Sequence, residues 1–366
     1  MTRKITVSDL IKIIHDFAPP ALACEWDNVG FLLGDASCEV KKILLCLDIT
    51  PDCVDKAVDS GSNLIISHHP LIFKPLKKIT NPLYLKLIKN DIAVISAHTN
   101  LDITKGGVNH RLADILGLQN LEILSRDSGN NLFQIAVYTP DSAVDDISQA
   151  VFSAGAGQIG NYSHCCNSFP VKARFQSLAG SDPTVGELNK NTAVDEIKLE
   201  FFADSFNLNK VIRAIHKFHP YETPVIAVYP LKQNSQDYGL GLIGVLPEAV
   251  SISDFAHKVK NSLNSPALKV WLADKSPDSM ITRIAVCGGS GASLISDASN
   301  RADLFLSGEF GYHSMLESPI PLIEAGHFHT EFPVLHVLNN LLSTLDLQID
   351  ILTPDQHETT TRTLYF

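Results

Sequence analysis

The chain has 366 residues, 45% of them hydrophobic and 19% charged, a length that suits two buried cores and a composition that excludes a disordered chain. Its formal charge of −11, from 29 basic and 40 acidic side chains, disfavours sequence-independent binding of nucleic acid. The seven cysteines (24, 38, 46, 53, 165, 166 and 287) form no C-x-x-C pair, which points to free thiols in a reducing cytoplasm. Charges break the apolar positions of the first residues, so no signal peptide is read there. The long uncharged stretch at 147–171 carries Gln, Asn, His and Ser and has no membrane character.

In chain order, KKILLCLDI (41–49) reads as a buried strand, and Thr50-Pro51 opens a helix that stops near Gly61. NLIISHH (63–69) is a second buried strand, 82–90 is helical, DIAVISAHT (91–99) is a third strand, and a helix covers 108–118. Near-continuous apolar strands alternating with helices predict a parallel sheet covered on both faces. The polar segments SRDSGNN and KQNSQD then bracket a block of different character. Within it come the strand FQIAVYTP, a helix carrying Val144, Ile147 and Val151, the strands KARFQSL and EIKLEFFAD, a helix carrying Leu208, Val211, Ile212, Ile215 and Phe218, and the strand PVIAVYPL. That β-α-β-β-α-β order predicts an α+β ferredoxin-like domain over 127–236. The α/β alternation resumes with GLIGVL, a helix over 253–263 and ITRIAVC, which enters a Gly288-Gly289-Ser290-Gly291 loop. ADLFLSG is a strand, PLIEAGHF leads into the helix TEFPVLHVLNNLLSTL with Pro333 in its first turn, and QIDIL is the last strand. The predicted architecture is a bipartite α/β domain, 1–126 and 237–366, with a parallel or mixed sheet and helices on both faces, interrupted by the inserted domain.

Three places combine residues that carry chemistry. His68-His69 ends a buried strand at the edge where open α/β sheets bind ligands. The pair points to opposite faces unless the chain turns, as Pro70 favours; a solvated pair is the alternative. His98 and Asp102 end the next strand in the same way, so two neighbouring strands would deliver three imidazoles and a carboxylate to one edge. His327 and Glu331 are four apart and share one face if the chain is helical there, whereas His329 falls roughly 160° away and is expected not to coordinate. Glu331 as a helix-terminal acid is the competing reading. Imidazole with carboxylate suits zinc, iron, manganese or nickel. The glycine loop at 288–291 presents either N–H groups to a phosphate or a tight turn. No G-x-S-x-G or P-loop motif occurs.

SHHPLIF, AHTNLD, GHFHTE and EWDNVG, with GAGQIGNYSHC (155–165) and HPYETP (219–224) in the insert, resemble the signature segments of the Nif-three-like family of dinuclear-metal proteins. Its members are often labelled GTP cyclohydrolase I type 2 homologues, and the resemblance covers essentially the whole chain. It implies His68, His69, Asp102, His327 and Glu331 as the ligands of two divalent metal ions per subunit, with no substitution among the five. It also implies a toroidal homohexamer with the metal sites facing its cavity. The reaction it implies is metal-dependent hydrolysis of a small molecule, by the label at the imidazole ring of a guanine nucleotide. Two ions about 3.5–4 Å apart would supply a hydroxide, with His98 as the candidate proton carrier. A non-catalytic metal-bearing scaffold or regulator is the other reading, and the acidic charge opposes DNA binding within a ring. His313 either approaches the same cavity or packs in the core. Tyr162, His164 and Glu222 are pocket candidates in the insert or shape its turns.

Overall fold

The computed structural model of the chain describes residues 4–126, 131–234, 238–357 and 362–363. Contacts divide the chain into two compact units, Met1–Gly129 with Tyr238–Phe366, and Asn130–Asp237. Positions 127–130 of SRDSGNN and 235–237 of KQNSQD lie outside the described residues.

The larger unit holds two mixed sheets in place of the single sheet expected from the strand pattern. The first runs Gly30–Leu33, Ala93–Ser96, Leu64–Ser67, Lys42–Cys46, Gln348–Ile351, parallel except for its antiparallel Gly30–Leu33 edge. Alternate residues of these strands enter different cores. Ile43, Leu45, Leu64 and Ile66 pack with Leu10 and Ile14 of the helix Val7–Phe17 and with Leu335 and Leu338 of the helix Val334–Leu342. Leu44, Cys46, Ile65 and Val94 pack on the other face, with Val54 and Ala57 of Pro51–Ser60 and Leu87 of Pro82–Lys89. The Pro51–Ser60 helix is cut to length by its ends: the Thr50 side chain accepts the Cys53 N–H, and Gly61 takes the left-handed conformation at φ 70°.

The second sheet runs Lys269–Trp271, Leu322–Glu324, Leu304–Glu309, Met280–Ser290, Leu240–Ser251, Gln119–Ser125. Its three middle strands, Leu322–Glu324, Leu304–Glu309 and Met280–Ser290, are parallel to one another. The two sheets exchange strands across the sequence: Gln119–Ser125 joins the carboxyl-terminal sheet, and Gln348–Ile351 joins the amino-terminal one.

Two local expectations are corrected. Gly288 and Gly289 belong to the strand Met280–Ser290 and do not form a loop. The long carboxyl-terminal helix is two helices, His327–Glu331 and Val334–Leu342, separated at Phe332-Pro333, because proline has no N–H with which to continue the helical ladder.

In the smaller unit, strand–helix–strand–strand–helix–strand builds a four-stranded antiparallel sheet in the order Cys166–Gln176, Asn191–Asp204, Asn131–Thr139, Ile226–Asn234. Ile135, Val137, Leu199 and Phe201 face Ile147 and Val151 of Val144–Ser153 and Val211 and Ile215 of Ser205–Phe218. Among the described residues, no helix is long and apolar enough to cross a membrane.

Candidate metal centre

Strand ends from both sheets of the larger unit supply the site. The His68 and His69 N–H groups donate to the Cys46 and Leu47 carbonyls at 3.1 and 2.9 Å, carrying strand pairing up to the pair. The chain bends at these two residues, so their rings lie 5.0 Å apart, each within reach of the same carboxylate, and not on opposite faces. His98 precedes the short helix Thr99–Ile103, which carries Asp102. Its ring is 5.3 Å from that of His68 and 5.4 Å from that of His69. His327 opens the helix His327–Glu331, and one helical turn brings its Nε2 within 3.1 Å of Glu331 Oε2.

Glu331, 3% exposed, stands at the middle. Its Oε1 is 3.7 Å from His68 Nε2, and its Oε2 is 3.0 Å from His69 Nε2. Asp102 Oδ1 lies 3.6 Å from His68 Nε2. The structure thus brings the five residues together in two sets able to hold a metal ion, His68–Asp102–Glu331 and His69–His327–Glu331. A third set, His68–His69–His98, adds His98.

The hydrogen bonds decide which ring nitrogens face inward. A carbonyl can only accept, so His68 Nδ1 donates to Ala97 at 2.8 Å and its Nε2 carries a free lone pair. His69 Nδ1 donates to Asp48 Oδ1 at 2.7 Å, and His98 Nδ1 to Asp27 Oδ1 at 2.9 Å. Asp27 also accepts the Thr99 N–H at 3.0 Å and the Thr99 hydroxyl at 2.6 Å. Carboxylate-backed imidazoles of this kind are the usual support of metal-ligating histidines. Asp48 and Asp27 were not singled out from sequence, although Asp27 lies within the EWDNVG motif.

The charges are strongly coupled. Burial works against the Glu331 carboxylate, yet His68, His327 and His69 hold it well below its ordinary value. Burial also lowers His69, but its bonds to Asp48 and Glu331 win and raise it to about 10; His327, likewise opposed by burial and favoured by Glu331, rises to about 9. Burial pushes Asp102 well above its ordinary value, and the Glu331 charge adds to this. His68 is lowered, chiefly by burial.

His68 Nε2 and Asp102 Oδ1 are both buried without a hydrogen-bond partner. Their 3.6 Å separation is too long for a shared proton, and native proteins leave few such atoms unsatisfied. A cation between them and Glu331 removes the penalty, so the residues present fit a metal ion.

The glycines make room. Gly289 has φ +65°, and a Cβ there would sit 2.2 Å from Glu331 Oε1; one on Gly308 would sit 2.8 Å from His327 Cα. The Gly288 and Gly289 N–H groups are spent on Asn109 Oδ1 at 2.9 Å and Thr330 Oγ1 at 3.1 Å, which removes them as a phosphate cradle. Asn109 also donates to the Asp102 carbonyl at 2.9 Å, tying the ligand helix to the glycine strand. A cleft of about 910 Å³, lined by Asp48, His69, Glu309 and His327 among others, opens onto the site. His329 lines that cleft but belongs to none of the metal-type groups among the described residues, and its hydrogen bond goes to the Leu263 backbone. His313 is exposed beside Tyr312, neither packed in the core nor in the cluster.

Comparison with known proteins shows the family of the chain. The profile of the Duf34/NIF3 (NGG1p interacting factor 3) family matches residues 5–359. A Halalkalibacterium halodurans protein named GTP cyclohydrolase 1 type 2 homolog is 36% identical over 327 residues, 87% of either chain. The crystal structure of a Bacillus cereus protein related to NIF3 aligns with a TM-score of 0.78 at 33% identity over 96% of both chains. A Staphylococcus aureus crystal structure aligns with a TM-score of 0.72 at 30% identity, over 96% of this chain and 97% of the other. The chain belongs to the Duf34/NIF3 family.

Proposed function

We propose that this chain is a dinuclear divalent-metal protein acting as a metal-dependent hydrolase. The observation that carries the reading is the pair of buried, partnerless acceptors, His68 Nε2 and Asp102 Oδ1, facing one oxygen of Glu331. His68, Asp102 and Glu331 would hold one ion, and His69, His327 and Glu331 the other. The donor set suits zinc, iron, manganese or nickel. Bound in such a pair, these ions polarise a substrate oxygen and lower the pKa of water.

The rest is supplied by the chain. Ala97 and Asp48 fix the tautomers of His68 and His69, so the ligand nitrogens are aimed before any ion arrives. His98, outside the two Glu331-centred sets, is held through Nδ1 by Asp27 and keeps Nε2 free to take up or release a proton. The name of the Halalkalibacterium halodurans relative makes guanine nucleotides the first substrates to try.

The test is elemental analysis followed by turnover of a panel of nucleotides and phosphoesters, beside a His68→Ala control. Metal-dependent turnover lost in the variant is expected. Silence of the fully metal-loaded protein across the panel would favour the scaffold role. We also take the smaller unit to be a ferredoxin-like domain, on the support of its strand order. The homohexamer is a proposal from family resemblance alone; light scattering giving about six times the 39.9 kDa chain mass would support it.

A further inference from the structure

The EWDNVG motif does more than place Asp27 behind His98. The Asp27 N–H donates to the Cys24 carbonyl at 2.9 Å, a tight turn with Glu25 and Trp26 at its corner, and Trp26 is 59% exposed there. Asn28 Nδ2 donates to the Ile72 carbonyl at 2.5 Å and the Tyr84 hydroxyl to the Leu71 carbonyl at 3.1 Å. These bonds hold the segment after His69 against the turn. Phe73, 48% exposed, has its ring 5.7 Å from that of Trp26, and the Trp26 ring stands edge-on to His98 at 6.0 Å. Two solvent-facing rings thus adjoin an imidazole of the His68–His69–His98 set. Large aromatic rings left together in water mark a contact surface, because their burial is what folding normally rewards.

The same segment carries Lys74, Lys77 and Lys78, all exposed, in a chain whose net charge is −11. Lys42, Lys86 and Lys269 of this unit each sit on an acid, Asp350, Asp55 and Glu324. The ammonium groups of the three loop lysines enter no ion pair among the described residues. The cleft on the His327 side has the opposite character. Asp48, Glu309 and Asp355 line it and, among the described residues, no lysine or arginine does. A substrate bearing a negative group therefore meets attraction beside Trp26 and repulsion from the cleft wall.

We propose that Trp26 and Phe73 form the ring-holding part of a substrate subsite at the metal centre, for a planar heteroaromatic ring carried on a phosphate ester, and that Lys74, Lys77 and Lys78 bind the phosphate. The inference rests on the hydrolase reading and deepens it. A ring stacked on Trp26 is seated next to His98, whose Nε2 is left free by the bond from Nδ1 to Asp27.

Fluorescence reads the subsite directly, because Trp26 and Trp271 are the two tryptophans and Trp271→Phe leaves Trp26 as the reporter. In that full-length, metal-loaded chain, acrylamide should quench Trp26 as it does an exposed indole. Guanosine monophosphate should quench it saturably, guanosine with about tenfold lower affinity, and ribose 5-phosphate not at all. Lys74→Ala, Lys77→Ala and Lys78→Ala together should bring the nucleotide down to the affinity of guanosine. By calorimetry with Trp271 retained, Trp26→Ala should weaken the nucleotide about tenfold and Trp26→Phe by less. A Trp26 shielded from acrylamide overturns the proposal. So does the absence of saturable quenching by the nucleotide, or an affinity unchanged by both Trp26→Ala and the triple lysine variant. Binding with these dependences but without turnover would keep the subsite and strike the hydrolase reading. Turnover whose KM is indifferent to Trp26→Ala would strike the subsite alone.

Discussion

The two halves of the candidate metal centre meet the same problem, buried polar groups, in different ways. In the half toward the cleft, the His69 and His327 side chains are 23% and 35% exposed, and both share Glu331 Oε2 at 3.0 and 3.1 Å. Each also has a second acid nearby, Asp48 at 2.7 Å and Glu309 at 3.4 Å. In the inner half, His68 is fully buried, and its Nε2 and Asp102 Oδ1 have no partner. Protons shared with Glu331 satisfy the outer half, whereas a cation would complete the inner half. Metal bound in the outer half would therefore compete with protons, and metal bound in the inner half would relieve a desolvation penalty.

The largest expected effect tests the one residue common to both halves. Glu331→Gln should lose both ions by elemental analysis, because the charge that faces each set is gone. Retention of one ion would show that Glu331 serves a single half. Gly289→Ala should follow, since the new Cβ meets Glu331 Oε1 and the positive φ disfavours any side chain. A loss of about 1–3 kcal/mol in urea unfolding is expected, with reduced metal content; wild-type behaviour would mean the strand can shift without disturbing Glu331.

His68→Ala and His327→Ala separate the halves. Each should lose about half of the bound metal, and the ion kept by His327→Ala, being enclosed, should exchange with a chelator more slowly than the one kept by His68→Ala. Equal exchange rates would erase the distinction.

A subtler effect is the pH dependence of the metal-free chain. His69 is raised from 6.5 to about 10, so its contribution is full below pH 6.5 and is lost as pH rises through about 10. Glu331 is depressed below 4.5, so its contribution is full above that pH and is lost as pH falls through its lower value. The joint contribution of these two groups to metal-free stability should therefore be greatest between about pH 4.5 and 6.5, while metal loading, which needs unprotonated imidazoles, should add more stability as pH rises. Parallel stability curves for the two forms would contradict this.

The smallest effect belongs to His329→Ala, which should leave metal content near wild type. A loss equal to that of His327→Ala, with the fold intact, would place His329 among the ligands.

The sequence by itself determined the periodicities and most element positions. Apolar runs of period two and capping residues such as Thr50 and Gly61 are local signals, and local signals survive in a string of letters. It also brought forward His68, His69, His98, Asp102, His327 and Glu331, through motifs at strand ends and the four-residue helical spacing, and the family resemblance narrowed these to five by leaving out His98. Only the tertiary structure decided that the larger unit has two sheets exchanging strands, because pairing between Gln119–Ser125 and Leu240–Ser251 spans more than a hundred residues and leaves no periodic trace. It alone turned His68 and His69 toward the same cluster, placed Asp48 behind the imidazole of His69 and Asp27 behind that of His98, and set Gly289 against Glu331. A glycine needed for close approach and a glycine needed for a turn are the same letter, and what distinguishes them is the atom that a Cβ would meet.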